Sequence, residues 1–200
     1  MCHRLNGPPE LTKLLRCLYE NWLPYSYVNS FSRYIFLYQV VEYFMEMAFE
    51  KSLYVHIMDY NERRISKNDL RKCLTSDAEE ITKIEMVFNG IPTNSQIVLD
   101  FIQNAKGFFD KIGIDFYETS VGKYIYKVRN ILVHNMRLAL DYENEINEIV
   151  ECFEKLIALK LSKLETTDQD MHLVVCDISE NYKKNRKRMR KVFKQHKYGK

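Results

Sequence analysis

From residue 25 to residue 89 the chain contains neither glycine nor proline, and from 123 to 198 it again contains neither. Those two residues make the tight turns and breaks from which hairpin-rich β folds are assembled, so their absence over such spans favours long helices. Six Gly and four Pro serve 200 residues in all. The expected fold class is all-α: a helical bundle of about five to seven helices, nearly free of strands, packed four-helix fashion through short connections.

Capping and stop signals divide the chain. Pro8-Pro9 can open a short helix over about 9–22, ended before Pro24. Asn29 or Ser30 can cap a long helix to about 58, whose apolar residues cover more than one face and imply burial on two sides. Gln39, Glu42, Glu46 and Glu50 interrupt it as one polar stripe. The plain reading of that stripe is a solvent edge; the sharper one turns Gln39 and Glu42 toward a cleft or a dimer seam and makes them substrate contacts. Ser66 can cap a helix to about 74. Ser76-Asp77-Ala78-Glu79 has the pattern of a capping box for a helix over 77–89, stopped by Gly90-Ile91-Pro92. Further helices are expected from Thr93 or Asn94 to about 111, from Thr119-Ser120 to about Met136, and from Asp141 to about 164. Residues 1–28 then form an N-terminal extension with a short helix, 29–164 a helical domain, and 165–200 a linker with a basic tail. The segment His172–Cys176 is too short to assign, as strand or docking segment.

The formal charge of +3 conceals a division. Residues 181–200 hold ten Lys/Arg and no acid, leaving 20 basic against 27 acidic groups, a formal −7, in the other 180 residues. Such a tail can hold a polyanion through its phosphates with little sequence information, so Lys183, Lys184, Arg186, Lys187, Arg188 and Arg190 are candidate RNA contacts. The alternative is a solvated end. Five scattered cysteines without a CxxC suggest neither a disulfide framework nor a zinc site, and no metal or cofactor is expected. The first fifteen residues lack a long apolar core, and no run of about 18 apolar residues occurs, so no membrane span and a cytoplasmic location are expected.

One short stretch carries chemistry: Arg129-Asn130-Ile131-Leu132-Val133-His134, followed by Asn135. Histidine can take and return a proton near neutrality, and arginine matches phosphate oxygens with a planar fork of donors. Together they suit attack of an RNA 2′-OH on the adjacent phosphate without a metal. His134 would act as general base or acid, and Arg129 would stabilise the charge of the pentacoordinate transition state. At about 100° per residue, Asn130 and His134 lie about 40° apart on one helical face, whereas Arg129 and His134 lie about 140° apart. Asn130 could therefore orient His134. Arg129 must swing round or be met by a second subunit.

The stretch Tyr126-Lys127-Val128-Arg129-Asn130-Ile131-Leu132-Val133-His134-Asn135 resembles the signature of HEPN-domain proteins: an arginine, four to six residues, then a histidine, with a polar residue after the arginine. Leu37-Tyr38-Gln39-Val40-Val41-Glu42 is similar to the early long helix of ApeA-like members. The resemblance covers roughly residues 30–162. It implies a HEPN four-helix core with extra helices, and a metal-independent endoribonuclease with RNA as partner. It implies a homodimer whose two Arg–His motifs meet in one cleft, acting in phage defence or as a toxin held by an antitoxin. The residues carried over are Arg129, Asn130 and His134, with Asn135 beside them. Members silenced by nucleotidylation have a tyrosine two positions after the histidine; Met136 stands there, so silencing of that kind is not expected.

Two rivals belong to other classes: a non-catalytic helical module that binds RNA or protein, and a subunit of a larger defence complex. The remaining features read more plainly. His56 reads as structural. Most of the fourteen Tyr and eleven Phe stand at helical spacing and read as core rather than as base-stacking platforms. Cys2-His3 and His172 with Cys176 lack partner pairs at metal-ligand spacing.

Overall fold

A computed structural model describes residues 9–24 and 29–162, and over them the chain forms seven α-helices and no strand. They are α1 (Pro9–Arg16), α2 (Ser30–Asn61), α3 (Lys67–Ala78), α4 (Glu80–Phe88), α5 (Gln96–Lys111), α6 (Val121–His134) and α7 (Glu143–Ser162). Helix α1 widens into a π turn over Cys17–Trp22, closed by Leu23 N–H donating to Leu18 at 2.8 Å, just before Pro24. The all-α expectation holds, and the break-free span 25–89 supplies the longest helix. No helix among the described residues is long and apolar enough to cross a membrane. The basic tail, the assumed linker and the segment 172–176 lie outside the described residues.

Contact density divides the chain into two compact units: Met1–Val40 with Phe153–Lys200, and Val41–Cys152. Helices α2 and α7 each begin in one and end in the other. In the first unit Leu11, Leu15, Leu18 and Leu23 are buried, as are Tyr34, Leu37, Leu156 and Ile157. Tyr34 stacks on Phe153 with centroids 4.6 Å apart. Beside that stack Arg33, only 2% exposed, donates to Glu154 at 3.1 Å. A charge so deeply buried is tolerated because the carboxylate neutralises it, and removing either partner alone would leave an uncompensated ion.

The second unit carries α3 to α6. The aromatic residues expected as core largely are core: Phe101, Phe108, Phe109 and Tyr124 are buried, and Phe109 and Tyr124 stack nearly parallel at 6.0 Å. Gly90 at φ +83° ends α4 and Gly113 at φ +73° follows α5, positions where a side chain would be strained. Ser66 caps α3 with a complete capping box: its hydroxyl accepts from Asp69 N–H, and Asp69 accepts from Ser66 N–H.

The second expected box does not form. Asp77 lies inside α3, the break comes at Glu79, and α4 starts without a side-chain cap. Ser76, the would-be cap, is still helical, and Glu79 N–H donates to its carbonyl at 3.2 Å rather than to its hydroxyl. Asp77 accepts from Ser52 of α2 in a very short hydrogen bond and stands 2.9 Å from His56 Nε2, so its carboxylate serves a tertiary contact. His56 is held in that contact with Ser52 and Asp77.

Helices α4 and α6 approach closely where α6 begins. A Cβ on Gly122 would stand 3.0 Å from Glu85 Cγ and 3.3 Å from its Cα. At the other end Arg129 Nε meets Glu80 Oε1 at 3.6 Å, so the two helices run antiparallel. Gly122→Val should force them apart and cost about 1–3 kcal/mol, read by urea unfolding. A second expectation concerns pH. The Ser66 hydroxyl, then its N–H, hold the Asp69 carboxyl below its ordinary 3.8. A depressed carboxylate stabilises the fold above its unfolded-state value and loses that effect as pH falls through the folded one. Asp69→Asn should therefore melt below the parent at neutral pH, with the gap narrowing below pH 3.8 in thermal melts.

Candidate functional site

Helix α6 owes its orientation to one stripe: Val121, Tyr124, Ile125, Val128, Ile131 and Leu132 are buried at helical spacing. The residues between them are turned outward. Arg129 and Asn130 become half-buried, and Val133, His134 and Asn135 exposed. The helix stops at His134, two residues before the expected end. Asn135 leaves helical geometry at φ −129°, ψ 35°, while its N–H still donates to Ile131 at 2.9 Å. A short 3₁₀ turn, Met136–Leu138, follows. His134 thus occupies the last helical position.

The arginine swings round within the same chain. Arg129 Nη1 donates to His134 Nε2 at 3.1 Å. A guanidinium has no acceptor, so Nε2 must offer its lone pair, and the ring in this contact is neutral with its proton on Nδ1. The same Nη1 donates to Asn130 Oδ1 at 3.0 Å. Asn130 therefore orients the arginine and not, as its position on the wheel suggested, the imidazole. Sharing a face with His134 aims Asn130 in the same direction. Arg129 comes nearer because its longer side chain crosses the intervening angle and its five donors outbid one amide.

Behind the guanidinium stands Glu80, at the first position of α4. With side-chain exposures of 23% and 33% the pair is partly shielded, and its net contribution is about 1 kcal/mol or less. It also restrains the guanidinium, whose Nη1 contacts Asn130 and His134. Sequence reading missed Glu80 because it lies 49 positions from Arg129 and follows the misread capping box. No local pattern could have paired them.

The weaker candidates differ in exposure or fall outside the described residues. The polar stripe of α2 divides by exposure: Gln39 and Glu42 are half-buried, whereas Glu46 and Glu50 are exposed. Only the latter two behave as a solvent edge, and Glu46 accepts from Lys83 at 3.1 Å. Lys183, Lys184, Arg186, Lys187, Arg188 and Arg190 lie outside the described residues. Among the described residues Cys17, Cys73 and Cys152 form no disulfide. Among the described residues no three His, Cys, Asp or Glu converge as a metal site.

Chemically, the arrangement pairs a permanent cation with a proton acceptor at the surface. Next to His134 in the chain, Val133, Met136, Leu138 and Leu140 are exposed, interleaved with exposed Asn135 and Arg137. Comparison with family models, with curated proteins and with solved structures finds no match. The Arg–His contact makes a spectroscopic prediction. With the ring neutral, the ¹⁵N shifts of His134 should report the Nδ1–H tautomer, and Arg129→Met should abolish that preference.

Proposed function

We propose that the protein is a metal-independent endoribonuclease of the HEPN kind. The observation that carries the reading is the 3.1 Å contact between Arg129 and His134 at an exposed helix end. The likeness of residues 126–135 to the HEPN signature supports it, as does the all-helical fold.

The chemistry follows from which groups the site holds. Without RNA, Arg129 Nη1 occupies the His134 Nε2 lone pair. A phosphate is a stronger acceptor than a neutral imidazole, so a bound RNA strand draws the guanidinium to its non-bridging oxygens. That movement frees Nε2 for the neighbouring 2′-OH. His134 then removes the 2′ proton, the 2′ oxygen attacks phosphorus, and the bond to the 5′ oxygen breaks. The departing 5′ oxygen takes up a proton, leaving a 2′,3′-cyclic phosphate and a 5′-hydroxyl. Arg129 stabilises the charge that accumulates on the pentacoordinate phosphorus, and Glu80 and Asn130 hold it there.

In this reading two copies pair so that both motifs share a cleft, and the exposed apolar residues around His134 are the surface that a second copy would cover. The role is defence against phage or toxin-mediated growth arrest, under control of a partner protein. A second reading draws on a different observation. Arg129 is already paired with Glu80, as in a purely structural contact, which suits a module that binds RNA or protein without cutting it. Membership in a larger defence complex is compatible with either.

The two are separated by incubating the purified protein with labelled RNA and excess chelator. Cleavage leaving 2′,3′-cyclic phosphate ends is expected, with His134→Ala reducing the rate by about 10²-fold or more. A His134→Ala protein that cuts at the parental rate would sink the mechanism, and binding without cutting would favour the module.

A further inference from the structure

The surface of α6 offers RNA more than the Arg–His pair. At about 100° per residue, Lys127 lies within about 20° of His134 around the helix axis, two turns before it, and Lys123 lies a further turn back on the same stripe. Seven residues at about 1.5 Å each place Lys127 about 10 Å up the helix from His134. Asn130, which holds Arg129, stands between them.

The two lysines are differently occupied. Lys123 Nζ donates to Glu118 at 3.0 Å. That hydrogen bond, then the charge of Glu118, raises its pKa, with Glu85 adding to the effect. A phosphate would have to displace Glu118. Lys127 has no carboxylate at ion-pair distance among the described residues. Its ammonium instead lies 5.7 Å from the centre of the Phe116 ring. That ring is packed edge-on against Phe109 and Tyr124, at 5.5 and 5.1 Å. Contact with a ring face steadies a cation without cancelling its charge. By contrast Lys83 and Lys111 are neutralised by Glu46 and Glu145. In a body with an acidic excess, an uncancelled positive charge in line with His134 is where a polyanion is held.

We propose that Lys127 binds an RNA phosphate flanking the one that reacts, so that the strand runs along α6 from His134 toward Lys123. The inference rests on the endoribonuclease reading and deepens it, naming a strand longer than one linkage as the substrate. An offset of about 10 Å puts the ammonium beyond the reacting phosphate, and a lysine holds phosphate as a point charge, without reading sequence.

The test compares two RNAs with the full chain. A dinucleoside monophosphate carries only the scissile phosphate, whereas a longer oligoribonucleotide carries flanking ones. Lys127→Ala should lower kcat/KM on the oligomer on the order of tenfold, and on the dinucleotide less than twofold. Lys127→Arg should restore the oligomer rate, and Lys123→Ala should cost less than Lys127→Ala. Equal losses on both RNAs would overturn the proposal. Binding is read separately in a His134→Ala background, where cleavage plays no part. There, adding Lys127→Ala should flatten the dependence of log affinity on log salt by about 0.7. An unchanged slope, or no binding of the oligomer at all, would overturn it. Failure of the endoribonuclease reading would appear instead as an uncut oligomer that still shows the flattened slope.

Discussion

The contact between α4 and α6 sets where Arg129 stands. Gly122 is what makes that contact close: without a side chain, the first turn of α6 rests directly on Glu85. Two turns on, the same antiparallel alignment brings Glu80 to Arg129. A site defined on one helix is thus held by a second. A guanidinium on a flexible stem has many rotamers, and the carboxylate 3.6 Å from Nε restricts them.

With that restraint, the polar atoms around Arg129 divide into anchors and a free end. Glu80 stands at ion-pair distance, 3.6 Å, while Asn130 and His134 accept from the guanidinium; in the proposed chemistry it is His134 that gives up its share to a phosphate. The proposed chemistry needs no change of fold, only an exchange of acceptors over a few ångströms. The line of α6 surface that includes Lys127 extends the same logic from one phosphate to a strand.

Much of the architecture was legible because helices announce their ends locally. Ser66 with Asp69, Gly90 and Gly113 each act within a turn or so of themselves, and the boundaries they mark agree with the structure to within a few residues. The Arg–His pair was legible for the same reason, being five residues apart. What was illegible depended on long-range contacts. Ser76 and Glu79 have the spacing of a capping box, yet α3 runs on through Ala78, with Asp77 bonded to Ser52 and His56 of α2, and the break comes at Glu79. Asn130 shares a face with His134, yet Arg129 reaches the imidazole first. Glu80 has no local signature at all. In each case the deciding atom lies on another helix or at the end of a long side chain, where periodicity carries no information.

The claim of α2 on Asp77 has an effect on how the molecule comes apart. No residue of α3 is fully buried, so little apolar area holds this helix in place. Its position rests on its cap and on the three polar atoms shared among Ser52, His56 and Asp77. Structure held by hydrogen bonds that water can replace opens at lower free energy than structure held by a core. By that argument α3 should open at a lower free energy than α6, which Tyr124, Val128 and Leu132 seat in the core.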